Sequence, residues 1–285
     1  MPRSGVVLVT DSAAALPSTL QSRYNVVVIP LLLEIDGSVY TEGVNISPPR
    51  VVAALLAGAR VRVLEPPAGE IGRIYRQLAA EGADHIVSVH VSGAIHAIVD
   101  YAREAAGYSR IPVDVIDTRT IGMGLGFAVV AAGAQIAAGH GADAASAAAN
   151  STATSSRVLM TVETLEYAHR DGQVPGAIRA VADTLRVRPL LELKDGSIVR
   201  TGGARNTEPA RQEVKRRMEA YVATLARPVV SIALVGASAL EAGLGINTPG
   251  PMIEASPGAS LSAHAGPGTY LVAAANMPAD APGEI

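Results

Sequence analysis

Apolar residues fall into short unbroken runs, separated by segments in which they recur at helical spacing. The first run, Val6 to Thr10, shows no alternation and ends in Asp11-Ser12. A strand apolar on both sides is covered on both faces, as in a parallel sheet under helices. Val26 to Leu33 is a second run with Pro30 near its middle. Proline cannot donate to a ladder, so this strand is bulged, terminal or at an edge. Asp36-Gly37 turns the chain, and Val39-Tyr40 returns as a short strand. Ser47-Pro48-Pro49 reads as a helix start with Ser47 as cap, continued by Arg50 to Leu56. Arg60 to Pro67 reads as a loop. Gly69 to Glu81 places Ile71, Ile74, Tyr75 and Leu78 on one helical face.

Two more buried strands follow, His85 to Val91 and Val113 to Ile116, ending in Ser92-Gly93 and Asp117-Thr118. Each leads into a helix, the first running to about Gly107 and the second from Gly122 to Gly139. Ala142 to Arg157 is a further helix. Alternating strands and helices predict a parallel sheet. The polar pairs Asp11-Ser12, Ser92-Gly93 and Asp117-Thr118 should then share its carboxyl edge, where open α/β sheets bind ligands.

From Val158 the pattern changes. Val158 to Val162 reads as a strand, Leu165 to Arg170 as a short helix, Asp171-Gly172 as a turn and Val174 to Arg186 as a helix. Val187 to Leu193 and Ser197 to Arg200 flank Lys194-Asp195-Gly196, an Asp-Gly hairpin signal. Glu208 to Leu225 is a charged helix and Pro228 to Val235 a strand. Ala239 to Leu244 reads as a short helix, and Met252 to Ala255 and Tyr270 to Ala274 as closing strands. The expected fold class is α/β in two domains: residues 1–157 with a parallel sheet, and residues 158–285 as a mixed α+β unit.

Composition narrows the chemistry. Apolar residues make up 49% of 285 positions, with one Phe and no Trp, so any internal cavity has aliphatic walls. A net charge of −3 and the lack of a basic tract give no electrostatic case for nucleic acid. With no Cys, thiol chemistry and disulfides are excluded. The six His show no metal-binding spacing, and no metal or cofactor is expected. Neither a signal peptide nor a membrane span is evident, which makes a cytoplasmic protein the expectation.

Asp11 and Ser12 stand where a ligand would, although either can equally cap the next helix. The glycines at 122, 124 and 126 lack dinucleotide spacing and suit tight packing at a helix start. His264 precedes Gly266-Pro267-Gly268, a rigid turn whose amides could hold an anion. His96 either faces the cleft or packs on a helix. Ser12 and Ser92 are candidate nucleophiles, but no Gly-x-Ser-x-Gly elbow is present. Arg186, Arg188, Arg200 and Arg205 gather near the hairpin, as a phosphate or partner site or simply a solvated face.

Several segments in order resemble the DegV family of bacterial fatty-acid-binding proteins. They are Val-Thr-Asp-Ser at 9–12, Val-Ile-Pro-Leu at 28–31 and Val-Ile-Asp-Thr at 115–118. Thr164-Leu165-Glu166-Tyr167 with Asp171-Gly172, Arg188-Pro189-Leu190-Leu191 with Asp195-Gly196, and His264-Ala265-Gly266-Pro267-Gly268 complete the set. The resemblance implies two domains with a fatty acid between them, its tail in an aliphatic tunnel and its carboxylate held by hydroxyls and the His loop. It also implies delivery of the acid to a separate fatty-acid kinase, with no catalysis by the carrier. Carried onto this chain, the ligand set is Asp11, Ser12, Val63, Ser92 and Gly93, together with His96, Ala97, His264 and Gly266. Arg205 is the candidate for kinase docking.

Three departures fall on the head group. The family's Thr-Ser-x-Pro is Val63-Leu64-Glu65-Pro66 here, so hydroxyls are lost and Glu65 would repel a carboxylate if it faced inward. Its Ser-Gly-Thr is His96-Ala97-Ile98, and its Gly-Gly-Arg is Asp171-Gly172-Gln173. His96 could replace a lost donor when protonated. The alternatives are a small-molecule hydrolase or transferase using Ser92 or His96, and a diverged family member serving another ligand.

Overall fold

A computed structural model describes residues 5–167 and 187–278. The expected Asp171-Gly172 turn, the helix from Val174 to Arg186 and the second half of the Leu165 to Arg170 helix lie outside the described residues. The chain first runs through β1 (Val6–Asp11), a 3-10 turn (Ser12–Ala14), α1 (Ser18–Arg23), β2 (Val27–Ile29), β3 (Leu32–Ile35) and β4 (Ser38–Thr41). It continues through α2 (Pro48–Leu56), β5 (Val61–Leu64), α3 (Ala68–Ala80), β6 (His85–His90), α4 (Ile98–Ala106), β7 (Val113–Asp117), α5 (Met123–Ala137) and α6 (Ala142–Thr154). The remaining described elements are β8 (Arg157–Thr161), β9 (Arg188–Lys194), β10 (Ser197–Ala204), α7 (Thr207–Val222), β11 (Pro228–Leu234), β12 (Met252–Glu254), α8 (Ala259–Ala265) and β13 (Tyr270–Asn276).

The unbroken apolar strands form a parallel sheet in the order β2-β1-β6-β7. Strand order reverses at β1, which pairs with β2 on one side and β6 on the other. A crevice opens at such a reversal, beyond the carboxyl ends of the two central strands. Pro30 ends β2, and the chain leaves for another sheet, in the order β4-β3-β5. The supposed loop from Arg60 to Pro67 therefore contains a strand: Val61 to Leu64 pairs antiparallel with β3. Its alternation was too short to distinguish from a loop between prolines.

The second half builds a mixed six-stranded sheet in the order β10-β9-β8-β13-β11-β12. Only β11 and β12 pair in parallel. The β9–β10 hairpin turns on Asp195 and Gly196, both at positive φ (50° and 83°), as an Asp-Gly turn requires. Two helix assignments change. Ala239 to Leu244 forms turns, too short a stretch to repay helix nucleation. Ala259 to Ala265 is a helix, so His264 sits in its last turn and not on a loop.

Helix α5 lies between the sheets and touches β1, β6 and β13. It is buried on nearly every side, as expected for a helix apolar all round. Small residues make that placement possible. A Cβ on Gly124 would overlap Thr120 Oγ1 and lie 2.9 Å from Val158 Cγ2. Gly124→Ala is expected to cost about 1–3 kcal/mol through overpacking, read as a lower urea midpoint. An unchanged midpoint would show that α5 can shift to make room.

Candidate functional site

An apolar cavity occupies the space between the carboxyl edge of the parallel sheet and the face of the six-stranded sheet. Its empty volume is about 660 Å³, part of it open to solvent. Ala13, Val91, Ile95 and Ile121 contribute from segments that follow β1, β6 and β7. Met160, Val162, Leu191 and Ile198 face them from β8 to β10, and Leu261 and Ala265 from α8. The polar lining residues are His96, Thr164, Ser260 and His264.

The two imidazoles converge from distant parts of the chain. His96 lies in the turn before α4 and His264 at the end of α8, with ring centroids 5.3 Å apart and planes inclined by 51°. Behind His96 stands Glu65. Its Oε1 accepts from His96 Nδ1 at 3.3 Å and from the Ala97 amide at 3.1 Å. The His96 hydrogen bond is the main reason its carboxyl is held down to about 2, against the opposing effect of burial. Glu65 is therefore ionised at neutral pH, and it commits Nδ1 of His96 to donating. That leaves Nε2 as the ring nitrogen able to meet a ligand. Glu65 does not line the cavity and stands behind His96.

Glu42 sets the position of α8. Its Oε1 accepts from the backbone N–H of Ala259 and, at 2.9 Å, of Ser260. Its Oε2 accepts from Ser12 Oγ at 2.6 Å, and Ser12 Oγ in turn accepts from Leu31 N at 2.9 Å. One buried carboxylate thus ties the end of β1 to the helix that carries His264.

Of the residues singled out from sequence, His96 and His264 line the cavity and the others have different employment. Asp11 is wholly buried, where it accepts from His90 Nδ1 at 2.9 Å, Val91 N at 3.0 Å and Ala13 N at 3.1 Å. Ser12 faces a separate open groove that Glu42, Asn45 and Arg50 also line. Val63 packs against the core from β5. Ser92 donates its hydroxyl hydrogen to the Gly196 carbonyl at 2.7 Å, pinning the hairpin tip to the sheet edge. Gly93 donates to Asp117 Oδ1 at 3.1 Å, and Ala97 to Glu65. Gly266 packs on the Tyr167 ring, where a Cβ would overlap it. The amides of Gly266 and Gly268 are already donated, to Ser262 O and Val235 O, each at 2.9 Å, so they do not form an anion cradle.

The hydroxyls of Ser12 and Ser92 are both committed as donors, which leaves neither poised as a nucleophile. A Ser-His-Asp array does exist elsewhere. Tyr75 OH donates to Ser88 Oγ at 2.8 Å, Ser88 Oγ lies 2.8 Å from His90 Nε2, and His90 Nδ1 meets Asp11. The Asp11 carboxylate takes the Nδ1 proton, and in that neutral tautomer Nε2 accepts from Ser88 Oγ, which accepts in turn from Tyr75. All four residues are fully buried, out of reach of any substrate. Near the hairpin, Arg188 pairs with Glu163 at 2.8 Å and Arg200 donates to Gly202 O. Arg205 is exposed in the turn between β10 and α7, while Arg186 lies outside the described residues. Sequence reasoning passed over Glu42 and Ser260. The serine was detectable only by its four-residue interval from His264, once that stretch is known to be helical.

Among the described residues, no helix is long and apolar enough to cross a membrane. The sequence profile of the DegV family, described as uncharacterised proteins, matches residues 5–276. A DegV domain-containing protein of Streptomyces coelicolor is 35% identical over 193 residues, 68% of this chain and 69% of its own. One from Deinococcus radiodurans is 29% identical over 274 residues, covering 94% and 97%. The structure of a DegV family protein from Thermus thermophilus, reported for its fatty acid binding, superposes with a TM-score of 0.87 at 30% identity. It covers 95% of this chain and 99% of that one. DegV of Bacillus subtilis, described as a fatty acid binding protein, shares the fold with a TM-score of 0.83 at 18% identity, over 95% and 99% of the chains.

Proposed function

The chain belongs to the DegV family, and on that premise we propose that it is a fatty-acid carrier, with no chemistry of its own, that buries the acyl tail between its two halves. The observation that carries this reading is the cavity: aliphatic on nearly all sides, with two imidazoles converging in its wall. Each methylene transferred from water into such a space contributes about 0.8 kcal/mol. The carboxylate needs polar partners to offset its desolvation. His96 and His264 supply them, His96 through Nε2. The division near Arg157 separates the two units that hold the ligand. Presentation of the bound acid to a fatty-acid kinase is the further step that we propose, with exposed Arg205 on the docking face. The expected location is the cytoplasm, where such a kinase would have its nucleotide.

Native mass spectrometry of the purified chain, followed by extraction, tests the carrier reading. A bound species with the mass of a fatty acid, removed by organic solvent, is the expected result. A chain that stays empty after incubation with oleic acid would sink the reading and favour a different ligand.

A further inference from the structure

A buried serine in a helix often returns its hydroxyl hydrogen to a carbonyl one turn earlier. Helix α8 shows this at Ser262, whose Oγ donates to Gly258 O at 2.6 Å. Ser260, two residues before it, does not. It is 2% exposed, and its hydroxyl has no hydrogen-bond partner among the described residues. A buried hydroxyl left unmatched is costly and calls for an explanation. The explanation lies in what it faces: Ser260 lines the apolar cavity, together with His264 and His96. Ser260 and His264 are four residues apart on α8, the interval that stacks two side chains on one helix face. The Ser260 amide is held by Glu42 at 2.9 Å, which fixes the first turn of the helix and the direction of its side chains.

We propose that Ser260 donates its hydroxyl hydrogen to the carboxylate of the bound fatty acid and so fixes which end of the cavity takes the head group. This assignment rests on the fatty-acid reading of the cavity. A serine hydroxyl can donate to an ionised carboxylate whatever the charge on the two imidazoles. A methylene at the same place would leave it unmatched, so the reversed ligand is disfavoured.

The test is a titration of oleic acid into the unaltered chain, Ser260→Ala and Ser260→Thr, with thermal melting of each. Ser260→Ala is expected to bind about tenfold more weakly while melting no lower than the unaltered chain, because it removes a hydroxyl with no protein partner. Ser260→Thr, which restores the donor, is expected to recover most of the affinity. Equal affinity of the unaltered chain and Ser260→Ala would overturn the assignment and leave the fatty-acid reading standing. An unaltered chain that binds no oleic acid would overturn both.

Discussion

Ala265→Leu is expected to weaken fatty-acid binding by roughly a hundredfold and to leave the chain folded. Ala265 lines the cavity from the last turn of α8, next to His264. A leucine there fills space that about three methylenes of an acyl tail would occupy. Excluding them forfeits about 2–3 kcal/mol, which is about one and a half to two orders of magnitude in Kd. The added side chain enters an existing void, so overpacking of the protein itself is limited. Ala13→Leu approaches the same void from the end of β1 and provides an independent check. Titration with a fluorescent fatty acid reads the affinity, and far-ultraviolet circular dichroism reads the fold. Full affinity in both variants would mean that the tail lies elsewhere.

Asp11→Ala is expected to destabilise the protein by about 3–5 kcal/mol, the range for removing one partner of a buried polar pair. In Tm this is a fall of roughly 10 °C. The substitution strips the acceptor from His90 Nδ1, from the Val91 amide and from the Ala13 amide at once. It also unsettles Ser88 and Tyr75, which depend on the His90 tautomer. Every member of the relay is fully buried, so the donors freed by the substitution lose their partner away from bulk solvent. A Tm within 2 °C of the unaltered chain would show that this relay contributes little. A ligand role for Asp11 predicts the opposite pattern, with affinity lost and stability kept.

The contrast between Asp11 and His264 shows how far the candidate site was legible. Asp11 ends an apolar strand, and His264 precedes a Gly-Pro-Gly turn, so each marked a candidate ligand position. Their fates differ because of what crosses over them in three dimensions. The His90 imidazole and two amides surround Asp11, whereas α8 carries His264 into the cavity wall. Ser92 was placed correctly at the carboxyl edge of β6, but the hairpin tip claims its hydroxyl through a bond spanning 104 positions. Glu65 threatened an anion only if it faced inward, and it does not line the cavity but pairs with His96. His96, thirty-one positions away, turns that charge into a device that orients an imidazole.

By itself the sequence determined most of the strands and helices, though not β5 or the split of β2 from β3, since hydrophobic period and turn chemistry act over a few residues. It determined the parallel sheet of the first half, the Asp-Gly hairpin of the second and the aliphatic character of any interior space. Pro30 marked a break in its strand, and the small residues of α5 marked a helix in close quarters. Tertiary structure alone decided that β3 leaves for another sheet and that Glu42 caps α8. It alone decided that His96 and His264 meet while Ser12 and Ser92 are spent on structure. The reason is physical: a hydrogen bond satisfies a polar atom wherever its partner comes from, and these partners are brought together only by the packing of the three sheets.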